Sequence, residues 1–306
     1  MSDHLATIGG HTILEPIGQG GMAEVYRAQT PSGQLVCLKR VKAEHADDID
    51  FLAAFVDELD LAKALRHPNI VRVYEWGQDD GPWFTMELID GPNFGTLLER
   101  HGRLPAHIVA HIGACLAQAL VYVHHRDGNR PPAVHCDVTP HNVLIDQSGT
   151  VKLADFGIAK ALGTTGAASL TRPRGKAGYL APEQLDTNDA GEQLIDSRVD
   201  LFTLGLVLWR GLIGTHPYIE QCPPNTTLPR WIPSQLRKNA RRTVGEAAPT
   251  APAGLCQTIE DLLQPLERRT STAERVLAAL LPHTHPESAA DLGRIASHVL
   301  TLTEAS

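Results

Sequence analysis

"HCDVTPHNVLIDQSGTVKLADFG", residues 135–157, is the stretch on which the fold turns. It holds two short apolar runs, "NVLID" and "VKLAD", of the length and branched composition of short strands. Oxygen-bearing side chains flank them. Asp137 and Asn142 precede the first run, and Asp155 follows the second, 18 residues after Asp137. Carboxylate and carboxamide oxygens are the hard ligands that Mg²⁺ prefers. A carboxylate can also receive a proton.

Working outward, residues 11–41 read as β-hairpins. "HTILEPIGQGG" and "EVYRAQT" alternate apolar and polar residues, and "TPSG" (30–33) turns the chain into "QLVCLKRV". A helix is expected next, because Phe51, Phe55, Leu59, Ala62 and Leu65 recur at helical spacing. It ends at "HPNI" (67–70), since a residue before proline avoids the helical region. Two more strands follow, "IVRVYEWG" and "PWFTMELI". From residue 92 the pattern is helical. Ile108, Ile112, Cys115, Ala119 and Val123 mark one long helix, and residues 196–213, 255–281 and 286–306 read as further helices. The most loop-like stretch is "EAAPTAPAG" (246–254). A strand-rich beginning followed by a helix-rich remainder predicts an α+β chain of two lobes, joined near "IDGPN" (89–93).

The bulk numbers agree with a globular protein. With 306 residues, 42 % of them hydrophobic and 20 % charged, the chain can bury a sizeable core. The net charge of −8 argues against a general nucleic-acid or membrane-surface binder. Five scattered cysteines with no Cys-x-x-Cys pair argue against a disulfide framework or zinc site and for a reducing, cytoplasmic setting. The longest apolar stretch, "LFTLGLVLWRGLIG" (201–214), contains Arg210, is too short to span a bilayer and reads as a buried helix.

Two other features carry chemistry. "GQGGMAEVY" (18–26) lies between strands, and a glycine-rich turn lets backbone N–H groups approach phosphate oxygens. No helix follows the glycines, so the dinucleotide-binding reading fails. Lys39 sits on the next strand and Glu58 in the middle of the following helix. A Lys–Glu pair there would fix an ammonium for nucleotide phosphates.

In order and spacing these parts match the protein-kinase signature set. The chain resembles a bacterial eukaryotic-type (Hanks-type) Ser/Thr protein kinase over about residues 11–283, on "GQGGMAEVY", "RHPNIV", "MELIDG", "DFGIAK" and "GYLAPEQL". The resemblance implies a bilobal kinase-like fold. Residues 1–10 would be an N-terminal extension, 11–89 the strand-rich N-lobe, 90–285 the helix-rich C-lobe and 286–306 a C-terminal helical tail. It implies ATP with Mg²⁺ or Mn²⁺, protein substrates bearing Ser or Thr, and self-association for autophosphorylation.

Carried over by position, Gly18, Gly20 and Gly21 would cover the ATP phosphates. Val25 and Cys37 would roof the adenine, with Leu144 beneath it. Lys39 would hold the α- and β-phosphates and pair with Glu58. Met86 stands at the gatekeeper position, and backbone groups of Glu87 and Ile89 would bond the adenine edge. Asp137 would be the base, with Asn142 and Asp155 on the metal. Asp200 would brace the catalytic loop. Glu183 should pair with an arginine: spacing from Pro265 favours Arg268, and the downstream "STAE" favours Arg269.

The sequence departs from the family at Cys136, Thr139 and Lys176, and Ala23 stands where many kinases have a third glycine. Cys136 replaces an arginine that reads a phosphate on the activation loop, which makes the chain a non-RD variant. Thr164, Thr165, Ser169 and Thr171 are the hydroxyls of that loop. Thr139 and Lys176 stand where the family has Lys and Thr, as if the two had exchanged places. A lysine reaching in from position 176 would restore the charge near the γ-phosphate. The competing readings are a pseudokinase serving as a nucleotide- or partner-binding scaffold and a small-molecule kinase. "GYLAPEQL" argues against the latter, because that segment shapes a peptide-docking groove in kinases.

Overall fold

Alternation of side chains about the early strands builds one antiparallel sheet. In a computed structural model of the chain, the described residues are 6–19, 23–43, 56, 59–60, 62–79, 81–125, 132–155, 178–185, 195–219, 222–223, 231, 234–236, 238–239 and 241–304. The chain divides into two compact units, residues 1–90 and 91–306.

The first unit holds β1 (Thr7–Ile8), β2 (His11–Gln19), β3 (Ala23–Gln29), β4 (Leu35–Val41), β5 (Val73–Gly77) and β6 (Trp83–Met86), in the sheet order β1-β2-β3-β4-β6-β5. Thr7 and Ile8, within the expected N-terminal extension, form the edge strand against β2. One face of the sheet is apolar and buried, with Ile8, Ala28, Val36, Leu38 and Trp83 at its centre. Successive strand residues point to opposite faces. Cys37 and Lys39 therefore lie on the other face from Val36 and Leu38. The helix expected over residues 51–65 lies largely outside the described residues, and Leu59, Ala62 and Leu65 from it are buried.

Among its described residues the second unit holds the hairpin β7 (Val143–Ile145) and β8 (Val151–Leu153) and six α-helices of eight residues or more: α1 (Phe94–His101), α2 (Ala106–His124), α3 (Arg198–Ile213), α4 (Ala253–Leu262), α5 (Ala273–Leu280) and α6 (Ser288–Glu304). Asn93 caps α1, its Oδ1 accepting from Thr96 N at 2.9 Å. Helix α2 is by length and composition apolar enough to cross a membrane, but eleven of its nineteen residues are buried in this unit, so it serves as the core helix. Residues 255–281 are not one helix. The segment between α4 and α5 contains Pro265, and it wraps the buried Arg269, whose Nε donates to Gln264 O at 3.1 Å. Buried cations need such partners. Thr272 then caps α5.

The C-terminal helix α6 docks on the unit. Leu292, Ala296 and Val299 are fully buried in its core. His107 of α2 bonds Asp291 at 3.0 Å and stacks on His285 with ring centroids 4.9 Å apart. Contact with the β7–β8 turn is backbone against backbone. A Cβ at Gly149 would lie 1.8 Å from Ala289 O, and one at Gly293 would lie 2.5 Å from Gln147 O. Gly149 also has φ +83°, which only glycine adopts cheaply.

Gly149→Ala should therefore cost on the order of 3 kcal/mol, combining left-handed strain with overpacking. Gly214→Ala, at φ +94° and ψ −23° with only ordinary contacts around it, should cost only about 1 kcal/mol. Urea unfolding checks the difference, and hydrogen exchange should rise in residues 288–304 of the Gly149 variant alone.

Candidate active site

A single carboxylate organises the loop at residues 135–142. Asp200, in the first turn of α3, is fully buried. Its Oδ2 accepts from His135 N at 2.7 Å and its Oδ1 from Cys136 N at 2.7 Å. The His124 Nε2–H adds a third bond to Oδ2 at 2.8 Å. Cys136 has φ +62°, a left-handed conformation that costs a non-glycine residue about 1 kcal/mol or more. Two charge-assisted bonds on consecutive amides hold it there.

His135 completes the brace. Its Nδ1 accepts from Asp137 N at 3.2 Å, so Nε2 carries the proton and donates to Ala154 O at 3.2 Å. Burial lowers its pKa, although Asp200 and Asp137 oppose the shift. The ring is therefore a neutral spacer between the loop and the end of β8.

Asn142 donates through Nδ2 to Asp137 Oδ2 at 2.7 Å and to Asp137 O at 2.9 Å. That orients the carboxylate and turns the Asn142 Oδ1 into the atom suited to a metal. Ala154 N donates to Asn142 O at 2.8 Å, tying Asp155 to Asn142 across the open end of the hairpin. Asp155 has φ +50°, a second left-handed residue within the same short stretch. Two hard oxygen donors this close in the fold fit Mg²⁺, which is usually held by one or two protein groups with phosphates and waters.

Among the described residues there is no group of three or more His, Cys, Asp and Glu of the kind that holds a metal by protein ligands alone. Thr139 is also fully buried, and its hydroxyl has no hydrogen-bond partner among the described residues.

In the first unit, register places the remaining expected residues together. Lys39 pairs with Val25 on β3 and with Phe84 on β6, and Cys37 pairs with Met86. Directly opposed residues share a face. Val25, Cys37, Lys39 and Met86 therefore share one sheet face, with the Lys39 ammonium 5.8 Å from the Phe84 ring centroid. Glu87 N is bonded to Arg72 O at 2.8 Å. Gly18 opposes Val25 across β2 and β3. Ile89 is half-buried, and so is Leu144 in the second unit. Gly20, Gly21, Glu58, Lys176 and the hydroxyls of residues 164–171 lie outside the described residues.

Downstream, the segment 178–185 is pinned from several sides. Arg269 meets Glu183 in a bidentate pair, Nη1 to Oε1 at 2.5 Å and Nη2 to Oε2 at 3.0 Å. The choice between Arg268 and Arg269 is thus settled for Arg269, because its side chain is fully buried while Arg268 is exposed. Arg269 also stacks over Phe202 at 4.7 Å. His216 donates from Nε2 to Gly178 O at 2.7 Å and accepts from Tyr218 N at 3.3 Å. Burial pushes its imidazole down to about 4; the Gly178 bond opposes the shift, and the nearby Arg210 charge adds to it. Arg210 donates to the Tyr179 hydroxyl at 3.2 Å.

Sequence reasoning singled out neither His124 nor His216. A buried carboxylate at Asp200 implies a partner, but only the packing of α2 on α3 shows which residue it is.

Comparison with known proteins agrees with this geometry. The protein kinase domain family matches residues 11–279. The serine/threonine-protein kinase PknJ of Mycobacterium tuberculosis is 40 % identical over 215 residues, 68 % of this chain and 35 % of PknJ. PrkC of Bacillus subtilis is 31 % identical over 266 residues, 83 % of this chain and 39 % of PrkC. The chain therefore spans only about a third of the length of these relatives. The crystal structure of the Mycobacterium tuberculosis PknI kinase domain superposes with a TM-score of 0.65 at 26 % identity, covering 91 % of this chain and 98 % of that one.

Removing the guanidinium with Arg269→Ala leaves the largely buried Glu183 carboxylate without its partner, and should cost about 3–5 kcal/mol. Arg268→Ala should stay within about 0.5 kcal/mol by the same urea assay. His216 gives a pH signature. In the unfolded chain it binds a proton below about 6.5, whereas in the folded chain it does so only near 4. Stability is fully present above pH 6.5 and falls progressively toward pH 4, by on the order of 3 kcal/mol. His216→Gln should flatten that part of the stability–pH curve, and an unchanged slope would contradict burial as the cause.

Proposed function

The chain belongs to the protein kinase domain family, and we propose on that footing that it transfers the γ-phosphate of MgATP to Ser or Thr hydroxyls of proteins. The observation that carries the reading is the loop braced by Asp200. It presents Asp137, Asn142 and Asp155 in the family's order, with Asn142 orienting Asp137.

Phosphoryl transfer asks little covalent chemistry of a protein and much positioning. Asp137 receives the proton of the attacking hydroxyl. Lys39 holds the α- and β-phosphates from the sheet face it shares with Val25, Cys37 and Met86. Glu87 N is committed to Arg72, which supports the use of its carbonyl, with the Ile89 N–H, at the adenine edge. Asn142 and Asp155 would hold Mg²⁺, which would supply charge neutralisation of the phosphates.

Protein substrates, self-association for autophosphorylation and a cytoplasmic setting belong to the same proposal. The cysteines among the described residues are unbonded to one another, as a reducing compartment would keep them.

The altered pair at 139 and 176 is read as an exchange rather than a double loss. The support is the Thr139 hydroxyl. It is fully buried without a partner among the described residues, and an unsatisfied buried hydroxyl costs on the order of 1–3 kcal/mol. A lysine from position 176 would give that oxygen a donor and carry positive charge toward the γ-phosphate. Cys136, with its amide on Asp200, keeps the loop's backbone role while lacking a phosphate-binding head. Activity is accordingly independent of an activation-loop phosphate held at this position.

A radiolabelled-ATP transfer assay tests the reading. Wild type should label protein, and Asp155→Asn, which tolerates the left-handed backbone, should not. Lys176→Ala should lower kcat by about 10²–10³-fold, as loss of a charge aimed at the transition state does. Thr139→Lys combined with Lys176→Thr should recover more than the single changes predict. Nucleotide binding without transfer in wild type would favour the scaffold reading. An unchanged kcat in Lys176→Ala would sink the exchange.

A further inference from the structure

A cation that the chemistry above does not use is bonded to the segment 178–185. Arg210 lies in the last turn of α3, and its Nη1 donates to the Tyr179 hydroxyl at 3.2 Å. Among the described residues this is its one hydrogen bond, although a guanidinium carries five N–H donors. Its Nη2 lies 3.9 Å from Glu99 Oε1, beyond hydrogen-bond reach. The Arg210 side chain is 19 % exposed and that of Glu99 60 % exposed. Surface pairs of this kind hold each other weakly.

Basic residues flank Glu99 and the end of α3. Arg100 and His101 close α1, exposed, and Arg103 lies beside Gly214 at the end of α3. Glu183, within this segment, is already bound on both oxygens by Arg269. His216, which holds Gly178, is neutral at physiological pH and adds no charge.

We propose that Arg210 is a specificity-determining residue that selects an acidic side chain, Asp, Glu or a phosphorylated residue, close to the acceptor hydroxyl of the protein substrate. The inference rests on the kinase reading, in which 178–185 shapes the groove that receives the peptide. Tyr179 fixes one edge of the guanidinium, so the remaining donors are pre-oriented, and planar bidentate capture of a carboxylate is what arginine does best. Glu99 is the internal competitor. It screens Arg210 in the free protein and swings away when a substrate carboxylate replaces it. A basic residue at the same place in the substrate would meet the like charge of Arg210.

The test is a positional peptide library with a central Ser or Thr, in which each flanking position carries Glu, Ala or Lys. Both kcat/KM and peptide binding by fluorescence anisotropy are measured for the full chain. One flanking position should favour Glu over Lys by about tenfold or more, the size expected of one charge-assisted bond. Arg210→Gln should reduce that ratio to within about twofold, and Arg210→Lys, which keeps the charge but not the planar fork, should restore only part of it. Glu99→Gln should move the ratio the opposite way, widening it by removing the competitor.

A purely structural Arg210 would change the Glu, Ala and Lys peptides alike, and that result overturns the proposal. So does turnover without charge bias, which leaves the kinase reading intact. Acidic-peptide binding that depends on Arg210 without any phosphotransfer overturns the kinase reading and upholds Arg210 as the selector. Neither binding nor transfer overturns both.

Discussion

The Asp200 carboxylate is the constraint from which the geometry of the second unit follows. It is fully buried, and a buried carboxylate is tolerable only when its oxygens are bonded. Its bonds to two consecutive amides and to His124 meet that demand. The same bonds hold Cys136 in a left-handed conformation that it would not otherwise adopt. With Cys136 turned, Asp137 points onward to meet Asn142, and His135 bridges back to Ala154. Asp137 and Asn142 are thus positioned by a carboxylate buried behind them.

A second layer of support runs through the β7–β8 hairpin. Its strands are only three residues each, yet Val143, Ile145, Val151 and Leu153 are all fully buried, and Asp146 ties the turn through Ser148 and Thr150. Asn142 and Asp155 leave its open end, while its closed end abuts α6 through Gly149 and Gly293. The C-terminal helix therefore belongs to the packed body of this unit. Its small residues are small because two backbones meet there.

Much of this was legible in the sequence because the signals are local or ordered. Alternating residues predicted the strands of the first unit, and the fixed order of glycines, Lys39, Asp137, Asn142 and Asp155 predicted the family. The reading of residues 255–281 as helical throughout failed on Pro265 and on the turn that encloses Arg269. Arg268 and Arg269 are chemically equivalent neighbours, and local spacing could not separate them. Burial did, because only one of the two guanidiniums faces Glu183, Phe202 and the carbonyls inside the unit.

By itself, then, the sequence determined the kinds of atoms available, their order, and the periodicities that make strands and helices, because those depend on residues close along the chain. Tertiary structure alone decided which polar groups are satisfied by which. His124 and Asp200 are 76 positions apart, Glu183 and Arg269 are 86 apart, and Tyr179 and Arg210 are 31 apart. Pairings at such separations leave no periodic trace. They arise because removal from water forces each buried charge to find a partner among whatever the packed helices bring within about 3 Å.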